Sequence, residues 1–473
     1  MTWLLICTQL LGKTRLCLAL VFDSASIGTS GVLDNWENAK EIRPIAGVPE
    51  LRAKHGEVLS GAGLAESRHW APMASHNARG CLAVAGTCVY HIRKIITEQR
   101  KLAIMLRRFS VSGMRGFAHE ISLDLSVKRD YKFGADNIES GIITNALLIG
   151  KNASGKSSLG DALMDIKNCF LGQVSGTLAS ASGEALFLNA DCGRGTALFE
   201  YEFELGDRLL AYSYEKTDPL SLVHECLLLD GECVFDYDAS AGRLLGGDLS
   251  LVGAENVNVE FANPASSLAA FLCANAPTAK LGALADFRRF VSGMNLIRLD
   301  GRPLQLARFD DDIERVIKHD CVDRLEAFLH GFGIDCDLVV LEGADGVKRL
   351  FFNHSVRMIP FADGCSSGTR TLVRLFSELE LGQAVSLVFI DEFDAYCHFE
   401  VADALLRYFS SKGDCQTVCT THNTSLVKNG MMRPDCIFQI DGQHGVRSLA
   451  DSTSREIRLG NNVEKLLRAG EFE

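Results

Sequence analysis

The chain has 473 residues and a formal net charge of −12 at pH 7, with 47% hydrophobic and 23% charged residues. This length suits two or three domains, and this composition is typical of a soluble globular protein without a membrane domain. The negative charge argues against general attraction to nucleic acid or an anionic membrane, although a local basic groove is compatible with it. The 16 cysteines show neither a C-x-x-C pair nor zinc-ligand spacing, so reduced thiols in a cytoplasmic protein are expected.

Residues 1–104 differ in pattern and charge from the rest of the chain. Residues 1–22 are apolar but interrupted by Lys13 and Arg15, and they lack the basic start of a signal peptide, so neither a membrane span nor a secretion signal is predicted. Residues 1–104 carry 12 Lys and Arg against 8 Asp and Glu, whereas the remainder carries 36 against 52. We expect 1–104 to be irregular, as a disordered leader or an over-extended reading frame, with the functional protein starting at Met105.

Regular structure is predicted to begin with two strands, over 106–111 and 121–126. The loop between them contains Arg115 and Phe117. A hairpin placed ahead of a phosphate-binding loop can border the base of a bound nucleotide, and both side chains are candidates for that contact. Phe117 is equally compatible with a place in the hydrophobic core.

A phosphate-binding loop follows an apolar strand predicted over 146–149. It has the spacing G-x-x-x-x-G-K-[ST] and comprises Gly150, Lys151, Asn152, Ala153, Ser154, Gly155, Lys156, Ser157 and Ser158. The glycines let successive N–H groups point at one anion, the lysine reaches the β- and γ-phosphates, and the Ser157 hydroxyl can ligate Mg²⁺. An amphipathic helix predicted to about residue 170 directs its positive end at the same place. ATP and Mg²⁺ are therefore the predicted ligands.

Two further blocks are predicted before residue 336. Alternating apolar runs predict an antiparallel β-meander, with turns at Gly206-Asp207 and Asp230-Gly231, over 197–203, 209–214, 223–229 and 233–237. Helical spacing then recurs over 265–273, 281–292, 310–318 and 322–329. We therefore predict a first part of the core over 105–260, a helical insertion over 261–335 and a second part of the core over 336–473. The insertion could bind a partner or a polymer, and a packed helical subdomain is the plainer interpretation.

The second part of the core begins its motifs with a helix start. Residues 366–370 read Ser-Ser-Gly-Thr-Arg, and a helical run follows over 371–379. Serine and glycine at a helix start offer hydroxyl and backbone donors beside the positive end of the helix dipole, which suits an anion. Taken alone, this pattern is also that of an ordinary helix cap.

Two strand ends complete the pattern. An apolar run from residue 384 ends in Asp391 and Glu392, as a buried parallel strand that delivers carboxylates at its edge. Asp391 is placed to hold Mg²⁺, and Glu392 to orient and deprotonate the attacking water. Another strand, from residue 417, ends at His422, which can hydrogen-bond the γ-phosphate. The predicted catalytic residues are therefore Glu392, Lys156 and His422, and the predicted metal ligands are Ser157 and Asp391.

Together these motifs resemble the ABC-like AAA ATPases found in bacterial abortive-infection and phage-defence operons, which are related to the ATPase half of overcoming-lysogenisation-defect nucleases. The matching segments are 150–157, 366–370, 390–395, 420–424 and the ending 461–472. The resemblance covers about 105–473. It implies a P-loop NTPase of ABC-ATPase-like type, an α/β fold with a mixed central sheet, an antiparallel β-meander and a helical insertion.

The resemblance also implies a homodimer in which two protomers enclose ATP. Ser367 and Gly368 would then complete the partner's site, and Asp394 would lie near the interface. The signature differs, with Ser-Ser-Gly-Thr-Arg in place of Leu-Ser-Gly-Gly-Gln, and no clear glutamine loop occurs over 171–200. Both departures argue against fast, transporter-style hydrolysis. The nuclease domain of some relatives is missing, so a nuclease or toxin effector would be a separate protein.

Three functions remain compatible with this pattern. The first is an ATP-hydrolysing dimeric switch in anti-phage defence. The second is a nucleotide-gated scaffold with negligible turnover that holds an effector silent. The third is a DNA-repair ATPase of the type that includes the SMC and RecF proteins, for which nucleic acid binding is possible but not indicated by the net charge of −16 after residue 104.

Overall fold

The computed structural model describes residues 2–11, 14–23, 104–172, 187–263, 266–299, 304–382, 384–441 and 445–472. The chain divides into two compact units, residues 1–87 and 88–473. In the first unit, two ten-residue strands pair as an antiparallel hairpin in which Thr2 lies opposite Asp23. The prediction that 1–104 is irregular therefore does not hold for this hairpin. The other residues up to 103 lie outside the described part of the chain, so the prediction is not tested there.

The regular elements are numbered in chain order. The strands are β1 Thr2–Leu11, β2 Thr14–Asp23, β3 Met105–Ser112, β4 Ile121–Asp124, β5 Ile138–Glu139, β6 Ile142–Ile143, β7 Asn145–Ile149, β8 Ala197–Leu205, β9 Arg208–Lys216, β10 Leu222–Leu229, β11 Glu232–Asp238, β12 Arg243–Gly246, β13 Met294–Arg298, β14 Leu338–Glu342, β15 Lys348–Asn353, β16 Met358–Pro360, β17 Leu387–Asp391, β18 Gln416–Thr421, β19 Ile437–Asp441 and β20 Gly445–Ser448. The α-helices are α1 Lys156–Leu171, α2 Leu268–Asn275, α3 Ala283–Gly293, α4 Leu304–Lys318, α5 Val322–Gly331, α6 Phe361–Gly364, α7 Ser367–Glu380, α8 Phe399–Lys412 and α9 Val463–Arg468.

The second unit contains a six-stranded central sheet in the order β13-β17-β18-β7-β19-β20. The first five strands are parallel, and β20 is antiparallel to β19. Strands β7, β17 and β18 are buried along their whole length, as expected for parallel strands covered on both faces. The predicted mixed central sheet is thus confirmed.

A seven-stranded antiparallel sheet lies beside it, in the order β12-β11-β10-β9-β8-β3-β4. Strands β8 to β11 are the predicted meander, and their hairpin turns fall at 206–207 and 230–231, as predicted. Apolar and aromatic side chains alternate with polar ones along these strands, so one face is buried and the other is not. The strands predicted at 106–111 and 121–126 are β3 and β4, which are the last two strands at one edge of the same sheet.

Helix α1 is enclosed between the two sheets. On the meander side, the Tyr201 hydroxyl donates to the carbonyl of Ala162 at 3.1 Å. On the central-sheet side, Gly160 lies directly on the ring of Phe389, where an added Cβ would be 2.6 Å from a ring carbon. The helix is therefore buried on both faces rather than on the single apolar face that its spacing predicted.

The segment 261–335 is mostly helical, with helices α2, α3, α4 and α5 close to their predicted ranges. It is not purely an insertion, however, because β13 lies within it and pairs in parallel with β17 at the edge of the central sheet. Strand β13 was not predicted from the sequence, because it begins directly after helix α3 and its five residues are too few to show a period of two. A small three-stranded sheet, β14-β15-β16, follows and leads into α6 and α7.

Two further observations concern the cysteines and the helices of the described residues. The cysteines whose side chains are described are free thiols. None of the described helices combines the length and the apolar composition that a bilayer crossing requires.

Candidate nucleotide-binding site

Three neighbouring parallel strands bring the predicted motifs to one edge of the central sheet. Strand β7 ends just before the P-loop, β18 ends just before His422, and β17 ends in Asp391. The register aligns Thr421 with Ile149 and Cys419 with Ile390. Because parallel strands end at the same edge, the three motifs meet there, with the His422 strand between the other two.

The P-loop needs glycine at both of its ends. At Gly150, an added Cβ would lie 2.6 Å from the Ser154 hydroxyl oxygen and 2.9 Å from the carbonyl oxygen of Ile440. Gly155 has a φ of 101°, and its added Cβ would be 2.9 Å from the Phe117 ring. The loop is thus folded tightly between β19 and the 113–117 loop, as a cradle for an anion requires. Phe117 is 4% exposed and packs beneath the loop. It therefore lies in the hydrophobic core, which is the second of the two places that the sequence allowed for it.

Lys156 is folded into its own loop. Its ammonium group donates hydrogen bonds to the carbonyl oxygens of Gly150 at 2.8 Å and Lys151 at 2.9 Å, and the residue is 6% exposed. Burial lowers its pKa, and the negative charges of three carboxylates partly offset this effect: Asp391, Glu392 and Asp394. The lysine of the P-loop therefore lies within electrostatic reach of the acidic tip of β17.

The remaining loop residues leave donors available for a phosphate. The Ser154 hydroxyl is buried and has no hydrogen-bond partner among the described residues, an arrangement that costs free energy unless a ligand accepts the bond. Lys151, Asn152, Ala153 and Ser157 are exposed, and Ser158 is half-buried. These residues fit a triphosphate, because the loop offers an orphaned hydroxyl and a cation at the start of α1.

The tip of β17 holds its carboxylate rigidly. Asp391 is 2% exposed, and the Thr420 hydroxyl donates to its Oδ1 at 2.8 Å. The backbone N–H of Glu392 donates to the same hydroxyl oxygen at 2.9 Å. The Thr420 hydroxyl thus ties both acidic residues to the neighbouring strand.

Glu392 itself has a φ of 54°, in the left-handed region that side chains other than glycine rarely adopt. Such a conformation costs about 1–3 kcal/mol and persists at sites where the surroundings impose it. Here the hydrogen bond to Thr420 and the bond from the Phe393 N–H to the Thr420 carbonyl at 3.1 Å impose it.

An open cleft of about 450 Å³ lies beyond this strand tip. Its lining residues are Glu392, Asp394, Ala395, Tyr396, His422, Asn423 and Thr424. His422 is exposed, and the Thr421 hydroxyl donates to Asp394 Oδ2 at 2.8 Å. The structure therefore brings the predicted Glu392 and His422 to one cleft.

The signature segment starts helix α7. The Ser366 hydroxyl caps it by accepting from the Thr369 N–H at 3.1 Å. Ser367 is exposed and Gly368 is half-buried, and an added Cβ at Gly368 would be 3.0 Å from the Tyr396 carbonyl oxygen. Ser367 and Gly368 are not among the residues that line the described cleft of their own chain, although Gly368 lies against Tyr396, which does line it.

Two arginines lie against the P-loop helix, and the sequence reasoning missed one of them, Arg298. Arg298, at the end of β13, and Arg115 both form ion pairs with Asp161 of α1, one on each carboxylate oxygen. Arg115 therefore contacts the helix, and its predicted contact with a nucleotide base stays a prediction. No local motif marks Arg298; the only signal was an isolated charge after the mostly apolar residues 294–297.

No three His, Cys, Asp or Glu side chains among the described residues form a group that could hold a metal by themselves. Mg²⁺ usually takes one or two protein ligands and completes its shell with substrate phosphates and water. Ser157 and Asp391 fit that smaller role.

The chain matches one known protein family over the region that contains this site. The model of a family described as "AAA domain, putative AbiEii toxin, Type IV TA system" matches residues 146–428. This range runs from β7 through the P-loop, the signature, Asp391 and His422. No curated protein matches the chain.

Three solved structures of SMC head domains are similar to the chain. The head bound to the C-winged helix domain of ScpA is 13% identical, with a TM-score of 0.37, and covers 72% of this chain and 97% of its own. The head from Thermotoga maritima is 16% identical, with a TM-score of 0.37, and covers 72% and 98%. The head with an extended coiled coil, bound to the C-terminal domain of ScpA derived from Pyrococcus furiosus, is 13% identical, with a TM-score of 0.36, and covers 78% and 99%.

The family match spans more than half of the 473 residues, and it includes every strand tip of the site described above. The chain therefore belongs to this AAA-domain family.

Proposed function

We propose that the chain binds ATP with Mg²⁺ between the P-loop and the acidic tip of β17, and hydrolyses it. The observation that carries the proposal is that the P-loop and the Asp391–Glu392 tip lie at the same edge of the central sheet, at the ends of β7 and β17 on either side of β18. These residues are more than two hundred positions apart in the chain, and only the parallel sheet brings them together. Family membership supports the same function, because the matched region contains both halves of the site.

Each residue has a distinct role in the proposed reaction. Lys156 leaves the carbonyl groups of its own loop and binds the terminal phosphates, and the Ser154 hydroxyl donates to a phosphate oxygen. Glu392 orients a water molecule and accepts its proton as the water attacks the γ-phosphorus. His422 hydrogen-bonds the γ-phosphate from the neighbouring strand. In-line displacement of this kind depends mainly on positioning and on stabilising the developing charge.

Ser157 and Asp391 would hold the metal ion. When bound, Mg²⁺ neutralises charge on the β- and γ-phosphate oxygens. The Thr420 hydroxyl orients Asp391 for that task, and the same hydroxyl fixes the backbone of Glu392.

Substitution Glu392→Gln tests the reaction. It keeps the size of the side chain but removes the base, so we expect ATP hydrolysis to fall at least about a hundredfold while ATP affinity is retained. Glu400→Gln, at an exposed position in the first turn of α8, is the matched control and should hydrolyse ATP as the wild type does. Equal inertness of wild type and Glu392→Gln, with ATP still bound, would favour the nucleotide-gated scaffold.

We propose further that two chains enclose the nucleotide, with Ser367 and Gly368 completing the site of the partner. The exposure of Ser367 at the start of α7, outside its own cleft, supports this proposal. The test is light scattering after size exclusion: the Glu392→Gln protein should be a dimer with ATP and a monomer without nucleotide. Ser367→Arg should remain monomeric with ATP, because a long cation at the helix start would obstruct the facing phosphate site.

The biological role that we propose is an ATP-driven switch in anti-phage defence, with a separate effector. The family description, which names a toxin of a toxin–antitoxin system, supports a role of this class. Phage challenge of cells that carry the gene with its neighbouring open reading frame tests it, with Lys156→Ala as the inactive control. A DNA-repair ATPase is the competing role, and it predicts DNA-stimulated hydrolysis that weakens steeply with salt.

A further inference from the structure

We propose that Asp161 and Arg298 form a positioning pair that fixes helix α1 against the acidic tip of β17, so that Ser157 and Asp391 face the same metal ion. This inference rests on the ATP site proposed above. It adds two residues that act through others and that no motif of the sequence includes.

The proposed metal site has one ligand on a helix and one on a sheet. Ser157 lies in the first turn of α1, whereas Asp391 ends β17. Two ligands on separate elements can bind one ion only if the relative position of the two elements is fixed to within about 0.5 Å. Some contact between α1 and the strand ends must therefore fix their relative position.

The ion pair lies at the required place. Asp161 follows Ser157 by four residues, hence about one turn along the same helix, and its side chain is 4% exposed. Arg298 ends β13, opposite Asp391 in the parallel register. The N–H of the next residue, Leu299, donates to the Asp391 carbonyl at 3.2 Å. One residue of the pair is thus fixed to each half of the metal site.

Packing at the same turn of the helix explains why a directional contact is needed. Gly160 lies on the ring of Phe389 in β17, with no room for a Cβ. This contact sets the distance between helix and sheet, but a helix can still slide or turn on a flat ring. A charge-assisted hydrogen bond from a planar guanidinium restrains both motions, because it is directional.

A second arginine reinforces the pair from the other side. Arg115 binds the second carboxylate oxygen of Asp161, and it comes from the 113–117 loop that carries Phe117 beneath Gly155. Asp161 therefore connects the P-loop helix to both of its flanking elements.

Isothermal titration with ATP, in the presence and absence of Mg²⁺, tests the proposal without requiring turnover. In the wild type, Mg²⁺ should increase ATP affinity. Arg298→Met should leave the metal-free affinity within about threefold and reduce the Mg²⁺-dependent gain about tenfold or more, the usual effect of removing a partner that orients a metal ligand. Arg298→Lys should recover part of the gain, since it keeps the charge but not the planar fork.

The matched control is Arg433→Lys. Arg433 forms a comparably buried ion pair with Asp435, at 2.5 Å and with 7% of its side chain exposed, but it does not line the cleft. We expect Arg433→Lys to lower thermal stability while keeping the full Mg²⁺-dependent gain. If Arg298→Met lowers stability but keeps that gain, the pair is merely structural and the proposal is wrong. Absence of ATP binding by the wild type would instead refute the proposed function, and the pair's role with it.

Discussion

The Thr420 hydroxyl donates to Asp391 Oδ1 at 2.8 Å, across two neighbouring strands of the central sheet. The same oxygen accepts the Glu392 N–H at 2.9 Å, and Thr420 is fully buried. One side chain thus orients the proposed metal ligand and holds the backbone of the proposed base.

Thr420→Val should lower both the Mg²⁺-dependent ATPase rate and the stability of the fold. Valine has nearly the same shape but leaves Asp391 and the Glu392 N–H without their partner, which costs about 1–3 kcal/mol in stability. We expect a drop of about tenfold or more in the Mg²⁺-dependent ATPase rate. Thr420→Ser keeps the hydroxyl and should retain most of the rate. Equal rates for the valine variant and the wild type would contradict the orienting role.

Replacing the strained Glu392 should reveal its cost. Because φ is 54°, Glu392→Gly should be more stable than Glu392→Ala by about 1 kcal/mol, since glycine adopts this conformation without a steric penalty. Chemical denaturation of both proteins measures the difference. Both variants lack the carboxylate, so the comparison isolates the backbone, and a more stable alanine variant would show that the residue is not strained.

Gly155→Ala should damage the phosphate loop, and Gly172→Ala should not. Both glycines have positive φ and flank α1, but only the Cβ at Gly155 would collide with the Phe117 ring, at 2.9 Å. Both changes should lower the free energy of unfolding, by about 1 kcal/mol at Gly172 and by more at Gly155. ATP affinity should fall about tenfold or more only in Gly155→Ala. If ATP affinity falls equally in Gly155→Ala and Gly172→Ala, the collision with Phe117 is not what damages the phosphate loop.

The pH dependence of stability should depend partly on Glu380 and Lys412, whose charged groups are 2.7 Å apart. Burial raises the pKa of Glu380, but the charge and hydrogen bond of Lys412 outweigh this effect, so the pKa lies below its ordinary 4.5. Burial lowers the pKa of Lys412, and neighbouring carboxylates outweigh it, so the pKa lies above its ordinary 10.5.

The signs give a window for this pair. A lowered carboxyl pKa contributes stability above 4.5 that is lost as pH falls through the folded value, and a raised lysine pKa contributes stability below 10.5 that is lost as pH rises through the folded value. Lys412→Met should therefore cost roughly 1–2 kcal/mol at pH 7 and flatten the acid limb. Arg407→Met, at an exposed ion pair with Asp403, should cost at most about 0.5 kcal/mol.

Much of the site could be predicted because its parts are local in the sequence. The P-loop is a run of nine residues, Asp391 follows an apolar run that is typical of a buried strand, and His422 follows the short run 417–421, which is rich in β-branched residues. The helices of 261–335 were predicted from their spacing as well. The hairpin of β1 and β2 was not predicted, because its apolar stretch was considered only as a membrane span or a signal peptide. Strand β13 was not predicted either, because its five residues directly follow a helix.

The sequence by itself determined which residues could grip a triphosphate, because turn geometry and strand ends depend on nearby residue types. The tertiary structure alone decided that β18 lies between β7 and β17, which puts the P-loop and the acidic tip of β17 at one edge of the sheet. It also decided that Asp161 meets Arg298, 137 positions away. Such contacts depend on the order of strands in a sheet, and that order follows from the packing of the whole domain rather than from any one segment.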